Sequence, residues 1–363
     1  MQLRFERARG KAAKPATLKD VAAAAGVHVS TASRTLNPMS RHLVAVNVAA
    51  RVERAAQKLD YRPDLVATSL RTGRSRLIGV LVPDIADPVF SPILGGITES
   101  LLAKGYSTVI ADVGSDQNRQ LELIEGLMAR RVDGLVLATV SRKDAVVDHC
   151  LRSGLPAVLV YRTESQPRLS TVVSDDAGGM KLAVDHLVGL GHRRIAHVAG
   201  PQHLSTGFLR RRGFEAAAKA HGLKAADVTV EVAAAYSRAE GQRVAGALLD
   251  AGRDFTAIVA ANDLLALGVY DALMARKLQC PADVSVVGHN DMPLVDMVSP
   301  PLTTVRISHR EMGEEAARMM LEELSGQGHR ARAVTLTPIL IIRSSSSTAA
   351  TKTRQKSSAT RMR

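Results

Sequence analysis

The first regular pattern of hydrophobic positions in the chain predicts two short helices joined by a tight turn. Apolar residues at positions 18, 21, 22 and 25 recur at helical spacing, and they follow Thr17, a residue type that favours the N-cap. Gly26 comes next. A helix often ends with a residue in the left-handed conformation, and glycine adopts it easily because it has no Cβ atom. Val27 then supplies an apolar side chain for the turn. This order predicts a helix-turn-helix.

The second helix of the pair, over residues 29–36, has a surface suited to the major groove of DNA. Ala32 and Leu36 are predicted to face the core, whereas the outward side chains are short and mostly polar. Such a helix enters the groove without steric penalty. A helical hairpin on the surface of a larger bundle is the alternative. The candidate DNA-binding residues of this motif are Thr17, Val29, Ser30, Thr31, Ser33, Arg34 and Asn37.

A third amphipathic pattern, over residues 48–59, completes a small three-helix core. Pro63 cannot continue that helix, and Asp64 can cap a further helix of only two turns over residues 65–70. A helix this short is marginal alone in water. We therefore expect it to form when a twin helix from a second subunit packs against it.

From Leu77 onward, short apolar runs alternate with helical patterns, which predicts two α/β lobes built on doubly wound parallel sheets. The predicted strands cover residues 77–82, 108–111, 134–138 and 157–161 in the first lobe and 195–199, 256–260 and 284–288 in the second. Ligands of such sheets bind beyond the carboxyl ends of the strands. We therefore expect a ligand site in the cleft between the lobes.

These patterns resemble the lac-repressor (LacI/GalR) family of bacterial transcription regulators. Residues 17–36 read TLKDVAAAAGVHVSTASRTL, similar to the family pattern TxxDVAxxAGVSxxTVSRxLN, and residues 59–64 read LDYRPD where the family has LGYRPN. Further landmarks cover nearly the whole chain, at residues 78–84, 131–137, 189–196, 261–263 and 300–305. The resemblance implies a small all-α head joined by a hinge helix to a two-lobed α/β core like that of periplasmic binding proteins.

The resemblance also implies the order of the domains. The helix-turn-helix head covers residues 16–62, the hinge helix and linker 63–75, and the effector-binding and dimerisation core 76–343. By analogy, the first lobe holds about residues 76–161 plus 303–325, and the second about 162–290 plus 328–343. Residues 1–15 and 344–363 lie outside the resemblance and lack apolar periodicity, so we predict a disordered basic arm and a disordered basic tail.

By the same resemblance, a pair of hinge helices enters the minor groove of the operator. Leu70 stands where the family wedges a leucine between the central base pairs, and Arg71 follows it near phosphate. Two departures from the family concern helix caps: His28 and Ala45 each replace a serine, so we expect weaker caps on the second and third helices. Within the helix-turn-helix, Ala32 also replaces a larger valine, and neither His28 nor Ala32 removes a base-reading position. Arg34 is the best candidate for a guanine contact.

The effector site implied by the resemblance consists of Asp87, Phe90, Tyr161, Thr206, Arg210, Asn262 and Asn290. Phe90 stands where the family covers the ligand ring, and Arg210 stands where it binds ligand oxygens. Tyr161 and Asn290 replace aspartates that accept hydrogen bonds from sugar hydroxyls. We therefore hypothesise that the effector carries a carboxylate or phosphate, as an acidic metabolite or a sugar acid does, bound by Arg210. A surface salt bridge is the alternative role for Arg210.

The charge distribution favours a DNA-binding head independently of any family. The chain has a formal net charge of +13. Residues 1–75 carry 14 Lys or Arg and five acidic residues, and residues 344–363 carry five Lys or Arg and no acidic residue. The chain between them is therefore nearly neutral. A basic head binds the DNA polyanion through counterion release, whereas a neutral core suits another task.

Composition and motifs exclude several other classes. The 363 residues have no apolar run long enough to span a bilayer and begin without a hydrophobic secretory segment, so we expect a cytoplasmic protein, nucleoid-associated when bound to DNA. Cys150 and Cys280 lack metal-type spacing and are predicted to be buried thiols. A dinucleotide loop would need a third glycine after Gly189 and Gly191. We expect no catalytic residue, no cofactor and no metal.

The predicted function is a transcription repressor whose affinity for operator DNA is controlled by a small-molecule effector. It acts as a homodimer or a tetramer, without a membrane partner. Activation of transcription and corepressor-dependent binding are alternatives within this class. A solute-binding protein would share the two-lobed core but requires a signal peptide and no DNA-binding head. A sugar-processing enzyme would require a catalytic constellation that the sequence lacks.

Overall fold

The computed structural model describes residues 16–37, 40–62, 73–114, 116–252, 254–326 and 330–349. The chain divides into two compact units, Met1–Ser75 and Arg76–Arg363. The predicted arm over residues 1–15 lies outside the described residues, as does most of the predicted hinge, with Leu70 and Arg71.

The described part of the first unit is a bundle of three helices, α1 (Leu18–Ala25), α2 (Val29–Thr35) and α3 (Val46–Lys58), with a 3-10 turn at Arg41–Leu43. Its core consists of small apolar side chains: Val21, Ala22, Ala25, Ala32, Val52, Ala55 and Ala56. The predicted helix-turn-helix and third helix are confirmed, although α3 begins two residues earlier than the pattern indicated.

The ends of these helices explain why they form where they do. Thr17 and Asp20 form a capping box: the Asp20 amide donates to Thr17 Oγ1 at 3.4 Å, and the Thr17 amide donates to the Asp20 carboxylate at 2.8 Å. Gly26 ends α1 with a φ of 60°, as predicted. His28 still caps α2, because its ring Nδ1 accepts the Ser30 amide at 3.2 Å; that this cap is weaker than a serine cap stays a prediction.

The second unit contains two six-stranded sheets. The first sheet consists of β1 (Leu77–Val82), β2 (Ser107–Asp112), β3 (Gly134–Leu137), β4 (Ala157–Val160), β5 (Ser170–Ser174) and β11 (Ala333–Leu336). The second sheet consists of β6 (Ile195–Ala199), β7 (Val228–Val232), β8 (Ala257–Ala260), β9 (Ser285–Asn290), β10 (Thr303–Arg306) and β12 (Ile339–Ile341). The strand orders are β11-β5-β4-β3-β1-β2 and β12-β10-β9-β8-β6-β7. The described pairings are parallel apart from β12, which runs antiparallel to β10.

Helices cover both faces of each sheet, which confirms the doubly wound architecture. The first sheet is packed by α4 (Phe90–Leu102), α5 (Gln117–Ala129), α6 (Ala145–Ser153) and α11 (His309–Leu324). The second sheet is packed by α7 (Asp176–Gly189), α8 (Ser205–Ala220), α9 (Arg238–Asp250) and α10 (Asp263–Ala275). Each sheet therefore has an apolar cluster on both faces, as parallel sheets require. None of the described helices is long and apolar enough to cross a membrane.

The predicted division of residues between the lobes is wrong at three strands. β10 was assigned to the first lobe, yet it pairs with β9 of the second sheet, with Thr303 opposite Val287. β5 and β11 were assigned to the second lobe, yet they pair with each other in the first sheet, and β5 also pairs with β4. The reason is physical: hydrogen bonding between distant segments decides sheet membership, and the local pattern does not reveal it.

The predicted disordered tail is also wrong for its first six residues. Ser345 is fully buried; its Oγ donates to the Val286 carbonyl at 2.6 Å and accepts the Thr303 amide at 2.7 Å. The Val286 amide in turn donates to the Ser345 carbonyl at 2.7 Å. Polar side chains here satisfy backbone groups of β9 and β10, so the segment is ordered without apolar periodicity. The tail from residue 350 onward lies outside the described residues.

Candidate functional site

The outward face of α2 carries the predicted base-reading side chains. Ser30, Arg34 and Asn37 are exposed. Thr31 and Ser33 are half-buried. Val29 is also half-buried and packs against the head core, so it faces outward only in part. Contact of these side chains with DNA remains a prediction.

Thr17 has a structural task in the head, since its hydroxyl and amide are both engaged with Asp20. We expect Thr17→Ala to destabilise the head by about 1 kcal/mol, because the capping box loses the Thr17 hydroxyl, which accepts from the Asp20 amide and donates to the Asp20 carboxylate. Hydrogen exchange of the α1 amides in the full chain would measure this. Thr17→Ser keeps the cap and should exchange like the wild type. Unchanged exchange in Thr17→Ala would show that the capping box contributes nothing.

A chain of side-chain contacts crosses the cleft between the lobes at the carboxyl ends of β4 and β9. Tyr161 follows β4 and Asn290 ends β9, with positive φ values of 66° and 114°. Asn290 Nδ2 donates to the Tyr161 hydroxyl at 3.1 Å, and its Oδ1 accepts from Arg210 Nη2 at 3.2 Å. Phe90, the first residue of α4, packs edge-to-face on Tyr161 with ring centroids 5.4 Å apart. The structure therefore brings four of the seven predicted effector residues into one set of contacts.

Arg210 is a buried cation with a buried carboxylate partner. Its side chain has no exposed surface; Nε donates to Asp176 Oδ1 at 2.7 Å, and Nη1 donates to the Ala261 carbonyl at 2.7 Å. Burial alone would lower the pKa of Arg210, but Asp176 raises it above the ordinary value, so the guanidinium stays charged. A surface salt bridge is excluded for Arg210, whereas Arg211 forms one with Glu215.

Two further predicted residues are fixed by hydrogen bonds near this set. Thr206, fully buried on α8, accepts from the Tyr236 hydroxyl at 3.2 Å. Asn262 is the N-cap of α10, and its Oδ1 accepts the Leu265 amide at 2.9 Å. It directly follows Ala261, the residue whose carbonyl binds Arg210. The structure thus places both residues in the second lobe beside Arg210.

Asp87, in the loop before α4, supplies a carboxyl group to the same region. Its Oδ1 accepts the Val89 amide at 3.1 Å. Burial raises the pKa of this carboxyl, and the Val89 amide, Arg162 and Arg210 oppose that shift. The electrostatic influence of both arginines indicates that Asp87 shares their surroundings.

The two lobes also touch each other at the rim of the cleft. The Arg142 amide of the first lobe donates to the His203 carbonyl of the second at 3.0 Å. The Arg142 guanidinium carbon lies 3.5 Å from the centre of the Phe208 ring. The Thr163 amide donates to Ser205 Oγ at 3.0 Å. The cleft is therefore closed by contacts that a ligand can strengthen or break.

Comparison with protein-family models gives two matches. Residues 17–64 match the model described as bacterial regulatory proteins, lacI family. Residues 184–346 match a periplasmic binding protein-like domain. The first match covers the described helix-turn-helix, and the second covers all six strands of the second sheet.

Curated relatives match along almost their whole length. The ribose operon repressor of Escherichia coli (strain K12) is 32% identical over 331 residues, which cover 91% of this chain and 99% of the relative. The HTH-type transcriptional regulator MalR of Streptomyces coelicolor is 36% identical over 341 residues, which cover 92% of this chain and 97% of the relative. The chain belongs to the LacI family. Its relatives are transcriptional repressors with an effector-binding core.

Solved structures agree with this membership of the LacI family. The lac repressor dimer bound to operator and the anti-inducer ONPF has a TM-score of 0.81 at 30% identity, over 92% of this chain and 100% of that chain. The complex of the regulator CelR with cellobiose has a TM-score of 0.70 at 29% identity, over 91% of this chain and 99% of that chain. The predicted family, fold class and function class are therefore confirmed. Family membership indicates a regulator of transcription.

Sequence reasoning missed two charged residues of the LacI-family cleft. Asp176, the first residue of α7, neutralises Arg210, which removes the support that Arg210 gave to an anionic effector. Arg162, directly after Tyr161, is almost completely buried. A charged residue next to a strand end is a weak signal, because its partner lies far away in the sequence. Within the described ranges, no group of three His, Cys, Asp or Glu side chains could hold a metal ion.

Proposed function

We propose that this protein binds operator DNA as a homodimer through α2 and releases it when a small molecule binds in the cleft. The contacts from Tyr161 through Asn290 to Arg210 carry this proposal, because they join the two lobes at the ligand site. A compound that binds these groups biases the relative arrangement of the lobes. A tetramer is the alternative assembly. The proposed place of action is the cytoplasm, on the nucleoid when the protein is bound to DNA.

The chemistry of the effector follows from the same groups. A solved LacI-family regulator from Enterococcus faecium carries bound ribose, and CelR carries cellobiose. In this chain, Asn290 and Arg210 offer hydrogen-bonding groups beside the rings of Phe90 and Tyr161. We propose a small polar effector built on a carbohydrate-like scaffold, since aromatic faces and fixed polar groups suit such compounds.

The test of this function is selection of bound duplexes from a random pool, followed by binding of the selected duplex across a salt series. We expect a two-fold symmetric site and a steep loss of affinity with salt. A carbohydrate panel is then screened for compounds that change operator affinity. Lower affinity with the compound would indicate induction, and higher affinity would indicate corepression. Binding without sequence preference under every condition would refute the proposal.

We expect Arg34→Ala to weaken operator binding by about 1 to 3 kcal/mol and to relax preference at one base pair of each half-site, because an exposed arginine on α2 reads guanine. Fluorescence anisotropy with operators varied at each position would measure this. Arg54→Ala, at an exposed arginine of α3, is the matched control and should leave base preference unchanged. An unaltered preference in Arg34→Ala would show that another residue reads the base.

A further inference from the structure

Arg162 is a buried cation that forms no ion pair with the described residues. Only 8% of the residue is exposed, and its Nε is buried with no hydrogen-bond partner. Among the described residues, its guanidinium carbon lies over the Tyr161 ring, 6.0 Å from the ring centre. The next residue repeats the situation, because the hydroxyl of Thr163 is also buried without a partner. Two adjacent donors at the end of β4 are thus unsatisfied.

The surroundings of Arg162 place its guanidinium in the effector cleft. The Tyr161 ring that Arg162 faces also lies 5.9 Å from the guanidinium carbon of Arg210, in the second lobe. The Thr163 amide, one residue along the chain, donates to Ser205 Oγ of the second lobe. Burial lowers the pKa of Arg162; the Asp87 carboxyl opposes this shift but forms no ion pair with Arg162 and accepts the Val89 amide. The guanidinium therefore lies where both lobes converge, without a carboxylate bound to it.

The contrast with Arg210 shows what is missing. Arg210 donates to Asp176, to Ala261 and to Asn290. A charge that is buried without such partners lowers the stability of the fold. A ligand that supplies a partner for the charge regains part of that free energy on binding. The planar guanidinium suits a carboxylate or phosphate, because it donates two parallel hydrogen bonds to either group.

We propose that Arg162, together with the Thr163 hydroxyl, binds an anionic group of the effector, a carboxylate or a phosphate. The inference rests on the proposed function and deepens it. It moves the anion from Arg210, where sequence reasoning expected it, to the unpaired arginine at the end of β4. The uncharged part of the effector is left for the aromatic rings and for Asn290.

The first test measures the stability of the full chain without any ligand. Arg162→Met keeps most of the side-chain volume and removes the unpaired charge, so we expect its Tm to exceed that of the wild type by about 2–4 °C. Arg193→Met is the matched control, at an exposed arginine that donates to the Val188 carbonyl, and should not raise the Tm. A lower Tm for Arg162→Met would show that the fold already satisfies Arg162, which overturns the proposal.

The second test compares probes that differ by an anionic group: glucose with glucuronate, ribose with ribose 5-phosphate, and inorganic phosphate alone. Calorimetric titration of the full chain should show at least one anionic probe binding about tenfold tighter than its neutral twin, with that advantage lost in Arg162→Met. A panel without any anionic advantage would overturn the proposal. So would an advantage that persists in the variant.

Operator binding separates this inference from the proposed function. If the wild type binds its selected operator and responds to neutral compounds alone, the function stands and the anion site fails. If the wild type selects no operator under any condition, the proposed function fails, whatever the probes show at Arg162.

Discussion

Arg210→Met should lower the free energy of unfolding of the core by about 3 to 5 kcal/mol, because it leaves Asp176 as a buried carboxylate without its cation. The variant also removes the donors that hold the Ala261 carbonyl and Asn290. Urea unfolding of the full chain, followed by circular dichroism, would measure the loss. Response to the effector should weaken with it, since Asn290, which donates across the cleft to Tyr161, loses the cation that holds its side-chain oxygen.

Two further variants make this result specific to the ion pair. Arg211→Met lies one residue along α8, at an exposed pair with Glu215, and should change stability by less than about 1 kcal/mol. The double variant Arg210→Met with Asp176→Leu removes both charges and should recover much of the lost stability. If the double variant is as unstable as Arg210→Met, an unpaired charge on Asp176 is not the cause.

Lowering the pH from 7 to 4.5 should destabilise the wild type by about 2 to 3 kcal/mol more than it destabilises His197→Asn. His197 is fully buried on β6, where its Nδ1 lies 2.8 Å from the Val259 carbonyl and its ring stacks on Phe214. Burial lowers the pKa of His197 to about 4. The unfolded chain, with its ordinary pKa of 6.5, binds a proton over this range while the folded chain does not. The stability from this residue is therefore present above the unfolded pKa and is lost as the pH falls.

Urea titrations of both chains at the two pH values measure the difference directly. Asparagine retains a donor for the Val259 carbonyl but cannot take up a proton at these pH values. The difference in unfolding free energy between the wild type and His197→Phe should change by the same amount between pH 7 and 4.5, whatever the stability of His197→Phe at pH 7. If the difference in unfolding free energy between the wild type and the variants does not change with pH, His197 is protonated in the folded core.

The head could be predicted from the sequence because its determinants are local. Thr17 and Gly26 mark the ends of α1, and the spacing of small apolar residues gives the inner faces of all three helices. The same applies to strands such as β1, where an apolar run is buried on both faces. β7 and β11 escaped prediction because they are partly exposed edge strands without such a run.

The parts that could not be predicted depend on contacts between distant residues. The resemblance to the family predicts that Arg210 lies in the cleft. Asp176 becomes its partner only when α7 and α8 pack side by side, which the sequence does not reveal. His28 reads as a loss of the usual serine, yet an imidazole nitrogen can reach the Ser30 amide as well as a hydroxyl can. The burial of Arg162, shortly after β4, likewise follows from tertiary packing, which no local pattern encodes.

The buried Ser345 has a practical consequence for anyone who attaches a label to this protein. Because Ser345 hydrogen-bonds the Thr303 amide and both the amide and the carbonyl of Val286, a chain cut after Arg343 would remove these three partners from the interior of the second lobe. A fluorescent reporter fused there would disturb the same sheet that carries Asn290. Fusion beyond Ala349, the last described residue, preserves the hydrogen bonds of Ser345. Reporters of effector binding should therefore be attached after residue 349.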